Sequence, residues 1–249
     1  MKKIGLIVFL ILFIGCAQRE KVLTADELSY GDVQVRTMLS DRKEMAFYKD
    51  KFGVTHEIGP DDEIWKWAAG KFAGQTLNMP IEWVPKPQHS GCALGDNNAG
   101  GGKKVRIRVV ESFPCGKNAD ARLPFEYLWR IATFELLNTE GADQFKEIYS
   151  DIKACVPMKK DEYVRRKLTV EYQAIRKLNN FYKSIWLSWA TKNSVNFNPL
   201  YWGEDLKPLE SWLDWLKNHS ERNGWHYHSD TYDIEIKPYM DKICPARGL

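Results

Sequence analysis

Residues 160–193 read KDEYVRRKLTVEYQAIRKLNNFYKSIWLSWATKN, and their periodicity decides the fold. Val164, Leu168, Glu171, Ile175, Leu178, Tyr182, Ile185 and Trp189 recur at alternating steps of four and three. That is the spacing of one helix face turned towards a core, so a long helix is predicted over 160–193. Every member of the stripe is apolar or aromatic except Glu171. An ionised carboxylate is rarely buried without a partner, because desolvation costs several kcal/mol. Glu171 therefore requires an explanation.

Working outward, residues 124–138 (PFEYLWRIATFELLN) form a second helix that is apolar nearly all round and so is predicted to be buried. Leu128, Ile131, Glu135 and Asn138 share one stripe of it. This helix is predicted over 122–139, and further helices at 42–52, 61–74, 140–154 and 207–219, the second opened by Asp61, Asp62 and Glu63. Strands are predicted at 80–84 and at 103–110, where apolar and basic residues alternate. The Pro- and Gly-rich stretch 85–102 between them reads as a loop, and the aromatic tail 225–240 as holding a short strand. The class is α+β, mainly helical, with a small N-terminal sheet packed on a larger helical part.

Two helices that each put one Glu into a core stripe admit two explanations. Each Glu pairs with an Arg (Arg130, Arg165, Arg166 and Arg176 are at hand) or a Tyr hydroxyl and simply orders the core. Alternatively the two carboxylates form a polar site, active or vestigial, in which neighbouring charges push the pKa values apart.

The order Phe134-Glu135-Leu136-Leu137-Asn138, followed on a later helix by Glu171-Tyr172-Gln173-Ala174, resembles the gluzincin class of zinc metallopeptidases. In that class one helix carries His-Glu-x-x-His and a later helix supplies a third ligand, Glu; the two His hold zinc and the Glu between them activates water. The resemblance, which covers roughly residues 103–190, implies that Glu135 corresponds to the general base and Glu171 to the ligand. Phe134 and Asn138 then stand at the two His positions. Phe cannot bind zinc and Asn is a poor ligand, so the resemblance implies a metallopeptidase-like scaffold without its metal site. No cofactor is expected. The alternative is a live hydrolase built from Glu135, Glu171 and C-terminal histidines.

Other motifs add less. His226 and His228 would share a face if they lay on a strand, which makes them a weak metal candidate, with His219 or Asp230 as further ligands. His56-Glu57 has no second His four residues after the first, since Pro60 stands there. Residues 95–104 depart from a phosphate-binding loop, with Asn97 in place of the first Gly and Lys104 in place of the hydroxyl residue. There is no Gly-x-Ser-x-Gly elbow. Trp186, Trp189, Trp202, Trp212, Trp215 and Trp225 would bind glycan or peptide if they lined a groove, although Trp212 and Trp215 fit core packing equally well.

The N-terminus carries an address. Lys2 and Lys3 precede an apolar run over residues 4–14, too short to span a bilayer of ~30 Å. Phe13-Ile14-Gly15-Cys16 resembles a bacterial lipoprotein signal, with Phe13 where Leu is usual. The resemblance implies cleavage after residue 15, acylation of Cys16 and attachment to the cell envelope, at the outer membrane if the host has one. Residues 16–28 read as a tether and 29–249 as a single globular domain. Losing Lys2 and Lys3 lowers the formal charge from +3 to +1, and no basic stripe is present, so nucleic acid is not expected as a partner. The expected partners are the membrane, through Cys16, and an envelope protein, peptide or glycan. Cys92, Cys115, Cys155 and Cys244 contain no Cys-x-x-Cys pair and are expected to form disulfides, Cys92–Cys115 and Cys155–Cys244 being the favoured pairing of three.

Overall fold

The structure, a computed structural model, describes residues 24–73, 81–84, 95–97, 107–110, 122–202, 206–221 and 223–245. The signal segment, Cys16, Cys92 and Cys115 lie outside the described residues. Among those described, the class is α+β and mainly helical, as the periodicities predict.

The chain opens with α1 (Ala25–Asp41), then α2 (Lys43–Ala46), the strands β1 (Phe47–Lys49) and β2 (Thr55–Glu57), and α3 (Glu63–Ala73). Helix α1 begins inside the stretch read as a tether. Its start is a capping box: the Thr24 hydroxyl accepts from the Glu27 N–H at 3.2 Å, and the Glu27 carboxylate accepts from the Thr24 N–H at 2.9 Å. It packs closely on α3, because a Cβ at Gly31 would stand 2.1 Å from the Ala69 carbonyl oxygen. Gly31→Ala is therefore expected to cost roughly 2–3 kcal/mol, at the upper end of overpacking, measured by denaturant unfolding. The predicted helix over 42–52 stops at Ala46, where β1 begins and pairs antiparallel with β2, Tyr48 opposite His56.

A second sheet follows in the order β3 (Ile81–Val84), β5 (Ile107–Val110), β4 (Gly95–Asn97). β3 runs parallel to β5 and β4 antiparallel to it. Thus the stretch read as one loop contributes a strand, and the described residues form two small sheets. β4 and β5 both pack on α4 (Phe125–Asn138), which is buried on most sides.

After a 3₁₀ turn, α5 (Ala142–Lys153) leads to α6 (Lys160–Phe181), a π turn (Tyr182–Trp186) and α7 (Leu187–Lys192), the last three forming one continuous rod. The wider turn shifts the phase of the buried face, so Trp186 is fully buried while Ile185 is only half-buried. α4 and α6 pack against each other. Glu140, at the junction, takes Lys71 of α3 at 2.7 Å and Lys177 of α6 at 2.6 Å. Burial alone would raise its carboxyl, but the two lysines hold it below the ordinary value.

Helix α8 (Leu209–Asn218) precedes α9 (Gly224–Thr231), a second π turn (Tyr232–Ile236) and α10 (Lys237–Ile243). The strand expected in 225–240 is thus helical. Asn223 caps α9 by accepting from the Trp225 N–H at 2.9 Å, and Pro238 falls in the first turn of α10, where its missing N–H is tolerated. Cys155, at a positive φ of 60°, is bonded to Cys244 with Cα atoms 5.5 Å apart, which realises one of the two favoured disulfides.

Candidate functional site

Helix α4 places Glu135 in the interior at 4 % exposure, with Asn138 also buried and Phe134 half-buried. The Asn138 side-chain oxygen is buried with no hydrogen-bond partner. Position 138, where the resemblance puts a zinc ligand, is thus filled by a neutral amide. Among the described residues no group of three or more His, Cys, Asp or Glu is arranged to hold a metal ion.

Glu171 is drawn to α9. On α6, Val170 lies against the end of α4, where a Cβ at Gly141 would meet it at 2.3 Å. Glu171, one residue on and about 100° round the helix, faces α9 instead. Its Oε1 stands 2.8 Å from Nε2 of His228, and a Cβ at Gly224 would come within 3.8 Å of its Oε2. Burial pushes the Glu171 carboxyl up, but the His228 imidazole and then Lys167 pull it further down, so it sits below its ordinary value. Lys167 is one turn before Glu171; its Nζ lies 4.2 Å from the centre of the Phe145 ring and 3.4 Å from the Tyr149 hydroxyl.

One turn further back, Tyr163 is fully buried, and burial, followed by the charges of Tyr149 and Glu235, raises its hydroxyl strongly. Tyr163, Lys167 and Glu171 thus form a polar line at four-residue steps beneath α5 and α9. Periodicity singled out only Glu171; the same spacing would have found the other two.

His226 and His228 do not act together. A helix turns successive residues by about 100°, so residues two apart point to different sides. His228 is 3 % exposed, whereas His226 is half-buried with its Nδ1 3.3 Å from the Asn223 side chain. His219 lies beside exposed Glu221 at 3.7 Å and stacks on Trp215. With Glu171 accepting, His228 donates through Nε2, and its Nδ1 is buried without a partner. A base must come within hydrogen-bond reach of the proton it removes, and a sealed Nδ1 does not.

Helix α4 buries a second carboxylate besides Glu135. Glu126, at the start of α4, accepts from Trp202 Nε1 at 2.6 Å and from the Asn198 N–H at 2.8 Å. Burial raises it, and the two N–H donors offset part of that rise. Of the six tryptophans read as groove candidates, Trp186, Trp189, Trp202 and Trp225 are buried, Trp212 is half-buried and Trp215 alone is exposed. Three of them pack together, Trp186 lying 4.7 Å from Trp202 and 5.3 Å from Trp189, while Trp212 packs on Tyr172.

A concave feature among the described residues lies elsewhere. A cavity of about 650 Å³ opens between α5 and α6, over Ile148 and Val170, with Glu147, Lys159, Glu162 and Arg165 around it. It is on the side of α6 opposite Glu171. No family model, curated protein or solved structure matches the chain.

Proposed function

We propose that this chain is a lipid-anchored protein of the bacterial envelope that acts by binding, on a metallopeptidase-like scaffold without zinc chemistry. The observation that carries the reading is the filling of the would-be ligand positions. Phe134 and Asn138 flank a buried Glu135, and the Glu171 carboxylate is taken by His228. The cavity between α5 and α6, which is in the size range of ligand sites, is where a peptide or glycan would be held. Metal analysis of the purified mature chain after incubation with zinc is expected to find well under one equivalent bound. A stoichiometric, tightly held zinc would overturn the reading.

A second reading, an acid–base hydrolase using Glu171 and His228, draws on their 2.8 Å contact. It requires turnover that disappears in His228→Gln while the fold persists. The sealed Nδ1 favours the first reading.

A further inference from the structure

We infer that the β1–β2 hairpin is a second membrane contact, its tip seated in the headgroup layer of an anionic phospholipid bilayer. The inference rests on the proposed anchoring at Cys16. Among the described residues, three of the eight exposed large apolar side chains fall within this hairpin: Phe47 at 41 %, Phe52 at 76 % and Val54 at 52 %. The others are scattered, as isolated exposed apolar residues normally are.

The tip is held rigid in this exposed form. Asp50 Oδ1 accepts from the N–H groups of both Phe52 and Val54 at 2.9 Å, and Gly53 takes φ +83° between them. The Lys51 N–H donates to the Ser194 carbonyl at 2.8 Å, which fastens the tip to the end of α7. An ordered loop that presents a Phe to water gains nothing from the core for doing so. Its chemistry suits a partner that takes an aromatic ring and a cation together.

Lys49 and Lys51 are both exposed, and Lys51 Nζ lies 5.0 Å from the centre of the Phe52 ring. The negative charge of Asp50 is met by two N–H groups and by His56 Nε2 at 3.0 Å, which leaves Lys49 and Lys51 as the charges nearest the tip, with exposed Glu57 set back at the base opposite Phe47. Lysines beside an apolar tip are the pattern that binds anionic headgroups while the ring enters the interface.

Chain length agrees. Cys16 and Thr24 are joined by a stretch that extends to at most about 28 Å. α1 spans about 26 Å and delivers the chain to the hairpin through α2. With α1 lying along the membrane, both attachments reach one surface, and the anchor holds the tip at high local concentration.

The test uses the full lipidated chain with Phe52→Cys carrying an environment-sensitive nitrobenzoxadiazole label. It is reconstituted in vesicles of phosphatidylethanolamine and phosphatidylglycerol. A second chain is labelled at Arg176→Cys, exposed and roughly 24 Å along the rod from Lys192, and the unsubstituted chain reports background labelling. Blue-shifted emission at position 52, quenched by spin-labelled lipid and lost when Lys49 and Lys51 are both changed to Glu, is the expected result. Position 176 should stay in water. The same water-like emission at both positions overturns the docking. Mass analysis of Cys16 reads the anchor separately: a chain without acyl groups refutes the anchoring, and the label in added vesicles still decides whether the hairpin docks.

Discussion

Changing Cys155 and Cys244 together to serine is expected to lower the unfolding free energy by about 4–5 kcal/mol. The bond joins residues 89 apart in sequence, and loop-closure entropy rises with the logarithm of that separation. For a domain of this size, the corresponding fall in melting temperature is roughly 10–15 °C. What the bond holds is specific. Cys244 lies just past α10, where residues 237–243 are half-buried or exposed, so little apolar burial fastens that end without the crosslink. Amide hydrogen exchange of the serine pair should therefore show the gain concentrated in α9 and α10, with α4 and α6 moved least.

The second large effect is expected at the Glu171–His228 pair. Glu171→Ala leaves a buried imidazole with neither nitrogen satisfied and should cost about 2–4 kcal/mol, allowing for the partial exposure of the carboxylate. If the pair is a packing device, Glu171→Leu combined with His228→Leu should recover most of that loss, since apolar replacement of a buried pair is often neutral. A functional pair would show no such recovery in any activity measured.

The pH dependence separates Glu171 from Glu126. Glu171 is held below its ordinary value, so its contribution is present above about pH 5 and disappears as pH falls through the lowered native value. Glu126 is held above its ordinary value. Ionising it costs native stability as pH rises through the ordinary range, and protonation at low pH removes that cost. Urea midpoints followed from pH 7 downwards should thus fall less steeply in Glu171→Gln than in the parent, and more steeply in Glu126→Gln.

How far these features can be read from sequence depends on what each leaves in the pattern. The seam from Val164 to Trp189 is visible because a helix buried on one side repeats near 3.6 residues. The π turn at 182–186 escapes that reading, because a single wider turn changes the phase without changing composition. Helix α1 is polar over its first turns and carries Gly31 at a packing position, so its apolar stripe is faint, yet Thr24 and Glu27 spell its capping box. The tail reads as holding a short strand because Trp and Tyr favour extended chain on average. Asn223 and Pro238 are the local signals for helix, and tertiary packing on α6 completes it.

The site was half legible for the same reason. A lone Glu in an apolar seam called for a partner, and the partner came from the C-terminal histidines. Which histidine it was depended on helical rather than extended geometry. Glu126 was overlooked because its partners, Asn198 and Trp202, lie far along the chain in a stretch without periodicity.

The close seat of Gly31 on α3 has a mechanical consequence. Tension applied at Thr24 along the axis of α1 runs parallel to the face that α1 shares with α3. The interlocked backbones at Gly31 and Ala69 then resist by shear, in which many contacts must yield together, and not by peeling one at a time. Pulled from the opposite terminus, the chain meets the Cys155–Cys244 crosslink first, and residues 155–244 cannot extend while it holds. Single-molecule pulling should therefore show a high first rupture force that drops in Gly31→Ala, and a contour-length gain that grows when the crosslink is reduced.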